Sequence, residues 1–228
     1  MKRLLIVRPE PGSAATLVAA QALGLEAEAL PLFAVVPVDW ELPAGPFDAI
    51  LAGSANAFRH GGPQLAALTY LPVFAVGQVT AQAADQAGFR VAAIGSGGLQ
   101  SVLDHIPAGT HHLLRLAGQQ RVELSPPKGI NLTERVVYAS RPVPAAPALT
   151  ARLSKPCVVA LHSAEAARHL AHECERLELD RTQIALDCIG LRVAAAAGAG
   201  WAEVRFAATP DDTALLALAA EMCQTRDR

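Results

Sequence analysis

A chain of 228 residues that is 52% hydrophobic and only 18% charged has the composition of a folded globular protein, with room for one or two domains that each bury a core. Its formal net charge of −2 at pH 7 offers no basic stripe for nucleic acid or an anionic membrane, so an anionic ligand has to be captured locally. No apolar run approaches the roughly 20 residues of a spanning helix, and the run from Leu4 to Val7 is too short for a signal-peptide core, which points to a cytoplasmic protein with neither a nucleic-acid nor a membrane partner.

The elements read in chain order as alternating strands and helices around parallel sheets. "RLLIVRP" is a strand, and "SAATLVAAQALG" a helix with Ser13 as its N-cap and Gly24 as its stop. "EAEALPLFAVVPV" is a long extended run in which Pro37 marks a linker or an edge strand. "FDAILAGSANAFRH", "LPVFAVGQVTAQAADQAG" and "RVAAIGSGGLQSVLDHI" are each a strand, a turn and a helix. From His111 the order starts again: "HHLLRLAGQQ", the long strand "ERVVYASRPV", then "KPCVVALHSAEAARHLAHEC", "TQIALDCIGLRVAAAAGAG" and "AEVRFAATPDDTALLALAAEM".

The second pass copies the first at a nearly constant distance. "GSANAFRH" is echoed by "HSAEAARH", with Ser163 lying 109 residues after Ser54, Gly190 lying 113 after Gly77, and Leu113-Leu114 lying 109 after Leu4-Leu5. Three nearly equal offsets predict an internal duplication, and with only two copies that means two similar doubly wound α/β domains rather than a solenoid. Ser54 and Ser163 are then matching helix starts facing each other across a cleft, while Arg59, His60, Arg168 and His169 lie beyond the first turn, on helix surface.

In open parallel sheets ligands collect beyond the carboxyl ends of the strands, where turns lead into helices. Candidate positions are Ser54-Ala55-Asn56, Gly77 with Val79 and Thr80, Ser163-Ala164, Gly190-Leu191-Arg192, and Arg8 at the end of the first strand. Helix N-termini present unpaired N–H groups and partial positive charge, so several of them receive carboxylates without net basic charge. Plain N-capping explains the serines equally well, and Arg8 is open either to ligand contact or to an ion pair with Glu10 or another carboxylate.

Other chemistry finds little support. "IGSGGLQ" does not fit G-x-G-x-x-G and no Walker lysine follows, so a nucleotide fingerprint is missing. Cys157, Cys174, Cys188 and Cys223 form no C-x-x-C pair, and although His162, His169 and His172 could suggest a metal, the His169–His172 pair lacks a convincing carboxylate or Cys partner, so neither a disulfide framework nor a zinc site is expected. No G-x-S-x-G elbow points to a covalent hydrolase. Tyr138, one of two tyrosines, sits where the chain leaves one domain for the other; it reads either as an acid for a departing hydroxyl or as a packed strand aromatic.

The order of motifs resembles the uroporphyrinogen-III synthase family over nearly the whole chain: "VRPEPGS", "AGSANAF", "FAVGQVTAQAADQAGF", "VVYASRPVP" and "ALHSAEAARHL". The resemblance implies two α/β domains joined by a two-stranded linker, the first domain discontinuous: residues 1–35 plus 143–228 as one, 38–137 as the other, with crossings at 33–38 and 138–144. It implies a cofactor-independent lyase that cyclises hydroxymethylbilane with inversion of ring D and loss of water, a monomer with no metal, and a linear tetrapyrrole with eight carboxylates as its small-molecule partner. Tyr138 would be the acid that assists hydroxyl departure. The sequence departs from the pattern at Gly190-Leu191-Arg192-Val193-Ala194, where relatives read Gly-Pro-x-Thr-Ala, so a Thr hydroxyl is lacking there and backbone N–H groups or Arg192 would replace it. From another class, a non-catalytic two-domain binding module for a polyanion accounts for the turns as well; a nicotinamide-dependent enzyme needs a fingerprint the chain lacks.

Overall fold

The computed structural model describes residues 2–224, so residue 1 and residues 225–228 of the expected first domain lie outside the described residues. In chain order the elements are β1 (Arg3–Ile6), α1 (Gly12–Ala22), β2 (Ala27–Ala29), β3 (Phe33–Pro37), β4 (Ala49–Ala52), α2 (Asn56–His60), β5 (Val73–Val76), α3 (Gln78–Gln86), β6 (Val91–Gly95), α4 (Leu99–Asp104), β7 (His112–Gly118), β8 (Asn131–Pro142), α5 (Pro147–Leu153), β9 (Cys157–Leu161), α6 (Ala164–Arg176), β10 (Ile184–Cys188), α7 (Leu191–Ala197), β11 (Glu203–Phe206) and α8 (Asp212–Gln224). The fold is mixed α/β with parallel sheets.

Two compact units emerge from the packing: residues up to Ala34 together with those from Arg141 onward form unit 1, and Val35–Ser140 form unit 2. Unit 1 carries a five-stranded sheet in the order β11-β10-β9-β1-β2, with every neighbouring pair parallel. Leu4, Leu5, Ile6 and Val7 are fully buried, the continuous apolar run that a strand covered on both faces requires. One face packs residues such as Leu5, Val159 and Leu186 against α5, α6 and α7, and the other packs Leu4, Ile6 and Ala185 against α8.

Unit 2 holds the sheet β3-β8-β7-β4-β5-β6, with β8, β7, β4, β5 and β6 running parallel. Leu114, Ile50 and Val73 pack under α2 and α3, and Leu51, Leu113 and Phe74 under α4. Pro37 ends β3, an edge strand beside β8, where a residue lacking an N–H costs the ladder nothing.

The strand orders explain the repeated offset. Leu4 of β1 pairs with Val158 of β9, and Leu113 of β7 pairs with Ala49 of β4, so β1 plays in its sheet the part that β7 plays in the other. Each sheet therefore combines strands from both copies of the sequence repeat. Three local expectations need correction. Ser13 is not an N-cap: α1 starts one residue earlier, Pro11 precedes it, and the buried Ser13 hydroxyl lacks a hydrogen-bond partner. Ser54 does not cap α2 either, since Ala55 occupies that place; the Ser54 Oγ instead accepts from the Asn56 N–H at 3.2 Å, closing a tight turn. His169 is only partly helix surface, because its Nε2 lies 2.9 Å from the Val143 carbonyl and its ring meets Phe33 edge-on at 5.3 Å.

Candidate active site

In unit 2 the carboxyl ends of β4, β5 and β7 open onto a pocket of about 230 Å³ that Ser54, Gly98, Arg115, Gly118, Arg121 and Tyr138 help to line. Two guanidinium-bearing residues and no carboxylate belong to its wall. Arg115 comes from the middle of β7 and is 3% exposed. The parallel register sets it directly beside Glu134 of β8, so its Nη1 donates to Glu134 and its Nη2 donates to the Val122 carbonyl at 2.9 Å. The second Glu134 oxygen accepts from Arg121 Nε at 3.2 Å. Arg121 Nη1 donates to the Gln119 carbonyl at 3.1 Å, and the Gln119 N–H donates to the Tyr138 carbonyl at 2.9 Å. The 119–122 loop is thus strapped between the buried arginine and the Tyr138 backbone. A chain of charge-assisted bonds of this kind fixes side-chain positions more firmly than neutral ones.

Tyr138 is half-buried and needs Gly118 beside it. A methyl group at Gly118 would come within 2.7 Å of the Tyr138 ring and 2.8 Å of its hydroxyl, closer than carbon and oxygen tolerate. At the start of α3, Gly77 has φ 74°, a left-handed backbone that glycine alone adopts freely. Val79 behind it is exposed, whereas Thr80 is only 5% exposed and points into the unit.

In unit 1 the corresponding sheet edge is occupied by its own charges. Arg8 Nη1 donates to both oxygens of Asp212 at 3.1 and 3.0 Å and to Thr16 Oγ1 at 3.3 Å, while Thr16 donates to Asp212 at 2.7 Å. The carboxylate that pairs with Arg8 is thus Asp212, and Glu10 instead accepts the Ala14 N–H at 3.3 Å. His162 Nε2 lies 3.2 Å from the same Asp212; burial, reinforced by Arg8, pushes the imidazole down to about 4 despite the carboxylate. Ser163 is a true N-cap, its Oγ accepting from the Ala166 N–H at 3.1 Å ahead of Ala164, the first residue of α6.

Gly190 precedes α7 with φ 179°, extended backbone open to any residue, so it lacks the requirement that acts on Gly77. Leu191 and Arg192 are exposed, while Val193 is 6% exposed in the core. Val193 stands where the repeat has Thr80, 113 residues earlier, and both side chains are buried. The departure at this turn therefore changes a core residue, while Leu191 and Arg192 stay exposed.

The structure brings Ser54 and Tyr138 to one pocket and gathers Arg8 with Asp212, His162 and Thr16 in another cluster. Sequence reasoning missed Arg115, Arg121 and Glu134. A signal existed for the first, because "HLLRLAG" places a charge inside an apolar strand where only a paired one is tolerated. Cysteine chemistry is ruled out by burial, which pushes the thiols up to about 12 at Cys157 and Cys188 and about 11 at Cys174 and Cys223, so none supplies a thiolate at neutral pH.

Comparison with known proteins decides the family. The family described as uroporphyrinogen-III synthase HemD matches residues 15–217. The chain belongs to the uroporphyrinogen-III synthase family. Family membership makes it a cofactor-independent cyclising enzyme of the lyase class in haem biosynthesis and sets aside the non-catalytic binding module. Uroporphyrinogen-III synthetase from Helicobacter pylori is similar at 17% identity, covering 97% of this chain and 100% of that one with a TM-score of 0.65. A mutant uroporphyrinogen III synthase from Thermus thermophilus is likewise 17% identical, covering 99% and 100% with a TM-score of 0.52. At that identity the two share the fold. Among curated proteins no sequence matches the chain.

Proposed function

We propose that the protein converts hydroxymethylbilane to uroporphyrinogen III with Tyr138 as the proton donor to the departing hydroxyl, and that the substrate's carboxylates are held by the turns at Ser54-Ala55-Asn56, Gly77-Val79-Thr80, Ser163-Ala164 and Gly190-Leu191-Arg192, with Arg8 as a further contact. The reading takes the chain as two α/β domains, residues 1–35 with 143–228 and residues 38–137, working as a cytoplasmic monomer without metal or cofactor.

The family match over residues 15–217 carries the reaction, and the wall around Tyr138 supports the role given to that residue. Protonation of the terminal hydroxyl lets it leave as water and produces an electrophilic azafulvene. Ring D attacks through its substituted carbon, a spiro intermediate forms, and its rearrangement leaves ring D inverted. The barrier falls because the chain is held in the attacking geometry and the cation is shielded, entropic and electrostatic contributions that need no prosthetic group. A half-buried phenol lying against Gly118 is available as the donor, and with one Glu134 shared between two arginines the pocket favours a substrate anion. Exposed Val79 and Leu191 offer apolar contact to pyrrole faces.

The experiment is turnover of hydroxymethylbilane by wild type and Tyr138→Phe, with separation of the isomers. Wild type yields the type III isomer, and Tyr138→Phe lowers kcat by about tenfold or more while still producing type III. Full rate in the variant removes the acid role.

A further inference from the structure

We propose that Arg121, positioned by Glu134 and the buried Arg115, forms a subsite for one carboxylate arm of the tetrapyrrole in the pocket beside Tyr138; this deepens the synthase reading and rests on it. Two cations share a single carboxylate here, since Arg115 and Arg121 bond opposite oxygens of Glu134. The cluster therefore keeps one uncompensated positive charge in a protein whose formal net charge is −2. That charge faces a pocket wall with no acidic residue.

The two arginines have different parts. Arg115 is 3% exposed and spends Nη1 and Nη2 on Glu134 and the Val122 carbonyl, so it acts through the loop it pins and is a positioning residue. Arg121 has a side chain 32% exposed, and its described bonds use Nε and Nη1, leaving Nη2 as the donor for a ligand carboxylate. Ser54 lines the same pocket and adds a hydroxyl. In unit 1 Arg8 is instead paired with Asp212.

The test compares wild type, Arg121→Gln and Arg121→Lys in two measurements. The first is turnover of hydroxymethylbilane. Loss of a charge-assisted bond made in both ground and transition states raises KM about tenfold with kcat little changed; Arg121→Lys restores most of the loss, and rising salt shrinks the difference between wild type and Arg121→Gln. The second is fluorescence titration with uroporphyrin III, a stable octacarboxylate that needs no catalysis to bind. Arg121→Gln binds it about tenfold more weakly than wild type. Wild type that forms type III while Arg121→Gln keeps the wild-type KM and affinity overturns the subsite and leaves the synthase reading standing. Wild type that forms only type I, with Arg121→Gln still weakening uroporphyrin binding, overturns that reading and retains the carboxylate site. An equal loss in Arg121→Lys and Arg121→Gln that salt does not alter assigns the residue to loop structure and contradicts the proposal.

Discussion

One row across each sheet sets the two units side by side. In unit 1 the row runs Asp187, Ala160, Ile6, Ala29 across β10, β9, β1 and β2; in unit 2 the equivalent row runs Phe74, Leu51, Arg115, Glu134 across β5, β4, β7 and β8. Each row buries one charged residue at its interior and sets an opposite charge beside it in the next strand, but Arg205 of β11, next to Asp187, bonds Glu221 instead, whereas Glu134 of β8 bonds Arg115. Asp187 is fully buried and neither carboxylate oxygen has a hydrogen-bond partner, so burial pushes it up to about 8, against a weaker opposing pull from Arg205. Arg115 instead donates to Glu134 and to the Val122 carbonyl and so organises a loop. The lesson is that a duplicated scaffold spends corresponding rows differently: a paired ion orders a pocket, whereas a buried acid without a hydrogen bond is pushed toward its neutral form.

The largest expected consequence is a pH-dependent stability carried by unit 1. The folded-state value of Asp187 lies above its unfolded one, so its contribution is fully present below about pH 4 and is lost as pH rises toward 8. The slope is at most about 1.4 kcal/mol per pH unit, which amounts to a few kcal/mol between pH 5 and pH 8. Denaturant unfolding at these two pH values should show the decline in wild type and its near disappearance in Asp187→Asn. A decline of equal size in the variant would mean that Asp187 does not titrate in this range.

Next in size is the paired ion. Arg115→Met leaves Glu134 with Arg121 alone and frees the Val122 carbonyl, and should cost about 2 kcal/mol in urea unfolding, below the roughly 3–5 kcal/mol of a fully buried pair because Glu134 is partly exposed. A neutral result would show that the pair balances its own desolvation and that the loop is held by other contacts.

The smallest effect separates the two echoed turns with which the duplication announces itself. Ser163 caps a 13-residue helix, so Ser163→Ala should cost about 1 kcal/mol. Ser54 only closes a two-residue turn before a 5-residue helix, and Ser54→Ala should cost a few tenths. Equal costs would restore the view of the two serines as matching caps.

How far the sequence carries this picture depends on the distance over which each feature is determined. Apolar runs such as Leu4–Val7 and Cys157–Leu161 mark strands because burial on both faces needs no other information. The helices after Ser163 and Gly77 follow from local turn chemistry. The short α5 carries little sequence signal, because Pro144 and Pro147 stand close together, although Pro147 suits the first turn of a helix. The identical spelling around Ser54 and Ser163 concealed different helix starts, since the length of the helix that follows is set by packing. The Arg115–Glu134–Arg121 cluster was illegible for a different reason. Its members are spread over 20 positions of chain, and only the register of β7 on β8 brings them together. Asp212 reaches Arg8 across still greater separation, 204 residues.

Product isomer identity tests the central claim most directly. Hydroxymethylbilane incubated with the wild-type protein, with no metal or cofactor added, should yield predominantly uroporphyrinogen III on chromatographic separation, while buffer alone yields the uninverted type I ring. Type I as the sole product in both would contradict the account.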